Sequence, residues 1–314
     1  MSFSASRRSR TALAVLLAGA LTTVAAALPR GPEGDGYQDG NTAGVVLKDS
    51  SIVLSGNGLG GDRGSGYSMP RPCWYEPGKS AEEMLATQED LGEYWYHTNP
   101  GGTPEQYEAW LNQYKDKVGQ DGRWWSPAYN SADPGGMACW AGLEGALWVA
   151  AGDTPPAGIS PEVLLAIARA ALTVPEPTIN VNPDGKSYVN LDTWVWLTGI
   201  GATERSVTAS IPGIMSATVT ATLGDDMSID SGTDWAKEHN ACGQTGTPYD
   251  GGDKASCGVT YLRASVDDVY TLTVTTEWDI EGSIGGAPSG VFQPIPVSTE
   301  RDIAVGEVQS TVRR

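Results

Sequence analysis

The repeat of apolar side chains along this 314-residue chain changes from a helical period to a strand period near Tyr188, and no all-helical or all-strand fold accommodates both halves. Before that point three helices carry start signals. Ser80 caps a run to about Tyr96, with Glu82 and Glu83 in the first turn, where the helix dipole favours negative charge. Thr103 caps a second helix, Pro104 takes its first position and Gln106 completes a capping box. On that helix Tyr107, Trp110, Leu111 and Tyr114 share a face, and Gly119 ends it. Ser160-Pro161 opens a third, with Val163, Leu164, Ile167, Ala168, Ala171 and Leu172 as its buried stripe and Pro175 as its stop.

Beyond Tyr188, alternation takes over. Val207, Ala209 and Ile211 alternate with Thr208 and Ser210; Ala217, Val219, Ala221 and Leu223 alternate with threonines. Tyr270, Leu272, Val274, Thr276 and Trp278 do the same, which describes half-buried antiparallel strands with wet outer faces. Ile303 and Val305 continue in phase, Val308 and Val312 fall out of it, and Gly306 between them suits a bulge. The expected fold is α+β: a small helical, disulfide-bonded domain over residues 71–175, then a β-sandwich over 176–314. The proline-rich Val174-Pro175-Glu176-Pro177 joins them as a semi-rigid linker. Residues 28–70, rich in Gly, Asp, Asn and Ser, read as a flexible arm in which Val45-Val46-Leu47 and Ile52-Val53-Leu54 suit short strands.

The first 27 residues read as a cleaved secretory signal, with a retained membrane anchor as the alternative, since the apolar run is nearly long enough to span. Arg7, Arg8 and Arg10 form its positive region, residues 11–24 its apolar stretch, and Ala25-Ala26-Ala27 its cleavage pattern. Ser6-Arg7-Arg8 resembles the start of a twin-arginine signal, but Arg10 stands where that motif needs a bulky apolar residue, which favours ordinary Sec export. No cysteine precedes Cys73 to carry a lipid, and no later segment is apolar enough to span a bilayer. Cleavage removes three arginines and no acid, taking the net charge from −18 to −21. That balance argues against nucleic acid and anionic membranes as partners, because both need a basic surface. Four cysteines in an exported chain read as two disulfides. Of three possible pairings, Cys73–Cys139 with Cys242–Cys257 is expected, one bridge per domain. A zinc site is disfavoured, since there is no C-x-x-C and only His97 and His239 could assist.

Aromatic residues supply the candidate binding groups. In the segment 188–197, Val189, Leu191, Val195 and Leu197 share one face, and Asn190, Asp192, Trp194 and Trp196 the other. Two tryptophans on a polar face need a cover. The helical domain packing there is the plain reading, and a ligand platform the functional one. The chain has 11 Trp and 12 Tyr against 2 Phe, a choice of rings with polar tips that suits stacking on sugars as well as a Trp-rich core. Trp124-Trp125, between Gly122 and Pro127, reads as an exposed loop pair and is the sharpest ligand-binding candidate, followed by Trp194 and Trp196.

Other chemistry finds little support. Gly78-Lys79-Ser80 and Gly185-Lys186-Ser187 lack the first glycine of a P-loop. No G-x-S-x-G is present, and neither histidine, each read as an exposed loop or helix-end residue, neighbours a nucleophile motif. Paired carboxylates are expected by chance among 38 acids. Asp225, Asp226, Asp230 and Asp234, and separately Asp250 and Asp253, miss the spacing of a calcium loop and read as solvated. No catalytic residue, metal ligand or cofactor is therefore assigned.

Cys257-Gly258-Val259-Thr260-Tyr261 followed by residues 269–275 (VYTLTVT) resembles the end of a PKD-type domain, an immunoglobulin-like sandwich in which a "TY" precedes a "YTVTLTV" strand. Gly232-Thr233-Asp234 stands where that family has Gly-Asp-Gly. Over residues 71–312 the chain also resembles a group of secreted actinobacterial proteins of the Streptomyces type. The shared motifs are Pro72-Cys73-Trp74-Tyr75, the V-N-L-x-T-W-x-W of residues 189–196, the C-G-x-x-G-T-P-Y of 242–249, and a second cysteine before the "TY". The resemblance implies an immunoglobulin-like fold and an address outside the cell, and no activity. The expected function is that of a secreted or cell-wall-associated non-catalytic protein, a binding or adhesion module for cell-wall glycan or another envelope protein. Two alternatives are a wall or polysaccharide hydrolase using acids of the helical domain, and a subunit of a secreted assembly.

Overall fold

A computed structural model describes residues 50–64 and 71–308, except 132, 253 and 267. The signal segment, Val45-Val46-Leu47 and Val312 lie outside the described residues. The chain opens with β1 (Val53–Ser55) and β2 (Arg63–Gly64). There follow β3 (Cys73–Pro77), α1 (Ala81–Asp90), α2 (Gly92–Thr98), α3 (Pro104–Lys115), β4 (Gly122–Tyr129), α4 (Gly136–Ala141), β5 (Leu147–Ala150) and α5 (Pro161–Ala171). Then come β6 (Thr173–Val174), β7 (Thr178–Asn182), β8 (Lys186–Tyr188), β9 (Asp192–Thr198), β10 (Glu204–Ile211) and β11 (Met215–Leu223). The last elements are β12 (Ser228–Asp230), β13 (Ala236–Asn240), β14 (Cys257–Tyr261), β15 (Tyr270–Ile284) and β16 (Ala287–Gly306). Strands take 42% of the described residues and helices 18%, so this is an α+β protein in which β-structure dominates.

The helix signals act locally, as a cap does. Ser80 and Thr103 each accept from the backbone of Glu83 and Gln106, whose side chains return the bond, and Ser160 caps α5. The run from Ser80 is two helices, because the helix breaks at Leu91 and restarts at Gly92. α5 buries Leu164, Ile167, Ala168 and Ala171, packs on β10, β11 and β15, and stacks the Arg169 guanidinium 4.5 Å over the Phe292 ring.

The strand alternation also holds. Val207, Ala209, Ile211, Val219, Ala221, Leu272, Val274 and Trp278 are all buried. They sit in a sheet of order β1-β10-β11-β15-β16-β8, with β12 also paired to β15. β15 is long enough to serve two neighbours in turn: its first half pairs with β12 and its second with β11. A second sheet runs β13-β14-β9-β7. One apolar core connects both sheets with α5, Trp74 and Trp125.

Four sequence expectations change. The segment 188–197 is not one strand, because a turn with Asn190 at φ 62° separates β8 from β9 and leaves Leu191 exposed. The final strand has no bulge at Gly306; β16 ends there and Val308 is exposed. The helical region contains a three-stranded sheet, β3-β4-β5. Residues 50–64, read as part of a flexible arm, lie across the fold: β1 extends the sheet at β10, β2 pairs with β6, and Arg63 bonds Glu176 at 2.8 Å.

That segment is anchored by a buried carboxylate. Glu76, on β3, accepts from the Trp74 indole at 2.7 Å and the Ser50 hydroxyl at 2.5 Å. Its other oxygen accepts from the Ser51 backbone N–H at 2.5 Å and the Ser51 hydroxyl at 2.7 Å. Both expected disulfides are present: Cys73–Cys139 ties β3 to α4, and Cys242–Cys257 closes the loop between β13 and β14.

Candidate functional site

Consecutive strand residues face opposite ways, and this separates the two tryptophans of β4. Trp125 enters the main core. Trp124 faces the helices, its ring 5.1 Å from Tyr114 and 5.7 Å from Trp148. Neither lies in an exposed loop: both are in strand and buried, paired with β5 on one side, while Trp125 also pairs with β3. Pro127 had argued against a strand, since proline donates nothing to a ladder.

Trp124 is instead the buried member of a row of rings that ends one ring further on, at Trp148. Along α3, Tyr107, Trp110 and Tyr114 are spaced i, i+3 and i+7, which puts them on one face. Trp95 and Tyr96 of α2 extend the row at one end, Trp124 and Trp148 at the other. Successive ring centroids lie 5.1 to 6.3 Å apart, a continuous set of seven rings. Trp95, Tyr107, Trp110, Tyr114 and Trp148 are half-buried, and Tyr96 is exposed, so the row forms a surface rather than a core. Gly122 makes the Trp148 end possible. A Cβ there would stand 2.5 Å from the Val149 carbonyl and 2.6 Å from the Trp148 ring.

Two phenols of this band, Tyr107 and Tyr114, are held above the usual tyrosine range. Burial pushes the Tyr107 phenol up, and the negative charges of Glu89 and Glu108 add to it; burial alone raises Tyr114. The Tyr107 hydroxyl donates to the Gln88 carbonyl at 3.5 Å. The sequence signal for this band existed in the helical spacing of Tyr107, Trp110 and Tyr114. The contributions of Trp95, Tyr96 and Trp148 depend on how α2 and β5 pack against α3.

Trp194 and Trp196 share the outer face of β9 with Asp192, as alternation requires. Their cover is not the helical region. The loop closed by Cys242–Cys257 folds over them: Tyr249 meets Trp194 edge-on at 5.5 Å, and Gly246 pairs with Trp196. Gly246 has φ 71° and lies so close to β9 that a Cβ would be 2.5 Å from the Val195 carbonyl. Trp194 is buried and Trp196 half-buried, so neither forms an open platform.

Beside them, Thr260 donates to Asp192 Oδ1 at 2.5 Å, and the Ala255 N–H donates to Oδ2 at 3.1 Å. The single Thr260 proton is thereby used, so its oxygen accepts from His239 Nε2 at 2.7 Å. His239 is thus a half-buried strand residue, not a loop residue. Burial opposes ionisation of Asp192, but the Thr260 and Ala255 bonds, with His239 and Lys254 nearby, outweigh it and hold its pKa below the usual aspartate range. A carboxylate with a lowered folded pKa stabilises above its unfolded pKa, about 3.9, and ceases to do so as pH falls through the folded value. Asp192→Asn is expected to cost about 1–2 kcal/mol at neutral pH. The difference from wild type should close below about pH 4 in urea unfolding. A gap that persists unchanged at low pH would show that the charge is not what matters.

Among the described residues no three His, Cys, Asp or Glu side chains cluster to hold a metal ion, and no helix is long and apolar enough to cross a membrane. No family model matches the chain, and no curated protein or solved structure is significantly similar to it.

Proposed function

We propose that this chain is an exported, non-catalytic binding protein whose aromatic band engages glycan of the cell envelope. The observation that carries the reading is the row of partly exposed Trp and Tyr rings on α2 and α3, which continues through the buried Trp124 to Trp148 on β5. Flat apolar faces flanked by hydrogen-bond donors suit sugar rings, which are apolar on their faces and polar at their rims.

The strand order supports an immunoglobulin-like reading of the C-terminal part, as in PKD-type modules. β7-β9-β14-β13 follows the A-B-E-D order of such sandwiches, and β12, β15 and β16 correspond to C, F and G. On this reading β8 runs parallel to β16 at the edge, and β10 with β11 is an insertion that extends the sheet towards α5. The sandwich acts as the carrier and the helical lobe as the binding end.

The test uses protein purified from culture medium, whose N-terminus should be Leu28. It is sedimented with insoluble cell-wall polysaccharide. Trp110→Ala and Trp95→Ala should each weaken retention about tenfold, close to 1.4 kcal/mol, with the circular dichroism of the fold preserved. Full retention by both variants would remove the band from the function. Release of reducing ends, abolished by changing one acid of the helical lobe, would make the protein a hydrolase instead.

A further inference from the structure

Most buried donors in a folded chain have a partner, so an orphan among them calls for one. Trp74 and Trp140 follow the rule: their indoles donate to Glu76 and to the Pro127 carbonyl. The Trp124 indole Nε1, on a side chain only 6% exposed, bonds none of the described residues. The hydroxyls of Tyr261 and Thr276 and the Trp278 indole are also unbonded, but they sit on β14 and β15 at no more than 2% exposure. Trp124 stands elsewhere. Its ring neighbours Tyr114 and Trp148 are both half-buried, so the orphan N–H lies within the band and one ring away from solvent. Those rings offer it at most a weak contact with a π face. Tyr114 is held by ring contacts with Trp110 and Trp124, and no hydrogen bond to a described residue fixes its hydroxyl. A change of Tyr114 rotamer is therefore enough to admit an acceptor.

The chemistry of this position selects among sugar substituents. It needs an acceptor that brings no donor of its own in among the rings. A protonated amino group has donors and no acceptor. A hydroxyl accepts, but its hydrogen is then stranded against ring faces. A carboxylate accepts only after giving up its water as a charge, against the field of a chain of net charge −18. An acetyl group ends in a carbonyl oxygen and a methyl. The oxygen accepts from the indole, and the methyl gains apolar contact with Tyr114 and Trp148. We infer that the band takes a polysaccharide of N-acetylated amino sugars, one acetyl carbonyl accepting from Trp124 Nε1 between Tyr114 and Trp148 while the sugar rings stack on the outer members of the row. This inference rests on the glycan reading above and names the ligand class for the same surface.

The experiment titrates the purified mature protein, by calorimetry, with an N-acetylglucosamine oligomer, a glucosamine oligomer and a glucose oligomer of the same linkage and length. The acetylated oligomer should bind about tenfold more tightly than either of the others. The assigned indole proton of Trp124, followed by nuclear magnetic resonance of the wild-type protein, should move downfield at saturation with the acetylated oligomer, as a newly made hydrogen bond requires. Trp124→Phe keeps a ring in the row and removes the N–H, and with its circular dichroism unchanged it should lose the tenfold advantage. If that variant does not fold, the wild-type resonance decides alone. Equal or tighter binding of the glucose or the glucosamine oligomer, or a Trp124 proton unmoved at saturation, overturns the N-acetyl inference and leaves the glycan reading standing. A folded Trp124→Phe that keeps the tenfold advantage overturns it in the same way. Failure of all three oligomers to bind overturns both.

Discussion

Replacing Cys73 and Cys139 together by alanine should lower the free energy of unfolding by about 4 kcal/mol, measured by urea denaturation of the oxidised protein. The bridge spans 66 residues of sequence, and within that span lie α1, α2, α3 and β4. Without it the denatured chain gains the freedom of a long open loop. The second bridge spans 15 residues, for which the same entropy argument gives about 3 kcal/mol. The native state should add to the difference. α4 has six residues, too few to persist alone, and is held by the Cys139 bridge, the Trp140 indole bond to the Pro127 carbonyl at 3.2 Å, and the Tyr129–Trp140 ring contact. The expected order is therefore a larger loss for Cys73/Cys139 than for Cys242/Cys257. The reverse order would mean that loop length is not what governs these crosslinks. The Cys242/Cys257 variant has its own signature, because the loop it releases covers Trp194: indole fluorescence should shift to the red before global unfolding.

The second large effect is expected at Glu76. This carboxylate is 5% exposed and accepts four hydrogen bonds, one from the buried Trp74 indole and three from Ser50 and Ser51 at the edge of the fold. Glu76→Ala should cost about 2–4 kcal/mol, most of it from the buried Trp74 indole left without an acceptor and the rest from the lost Ser50 and Ser51 bonds. Glu76→Gln should cost less, since one oxygen still accepts while the amide nitrogen faces donors. The loss should be local first. Ser50 and Ser51 lose their anchor, and the β1–β10 ladder from Val53 to Ser55 should exchange its amides faster than β10–β11 does. Unchanged protection across Val53–Ser55 in Glu76→Ala would show that β1 is held by its own pairing.

Local signals were legible in the sequence because they depend on neighbours along the chain. Ser80, Thr103 with Gln106, and Ser160 start helices through contacts three residues away, and the alternation of Val207–Ile211 or Leu272–Trp278 is fixed by the pleat alone. Side-chain charge and cysteine count set the composition-level reading for the same reason. The break at Asn190 was less legible, since the turn competes with an alternation that continues across it. β4 was masked by Gly122 and Pro127, both poor strand residues that its partners β3 and β5 override.

The two cysteine pairings were among three that the sequence allowed, and packing selected them. Tertiary structure alone decided which tryptophans meet solvent. Trp124 and Trp125 have the same neighbours in sequence, yet one enters the core and the other joins the aromatic band, because the strand turns them to opposite sides of a sheet with different elements on each. Trp194 is covered by a loop more than 50 residues further on. Glu76 reads as an ordinary acid until Ser50 and Ser51 are brought to it. The sequence by itself determined an α+β chain with capped helices, half-buried strands and an excess of negative charge. Which rings become a surface depends on long-range packing, because a strand or helix fixes only the side a ring points to and not the element that meets it there.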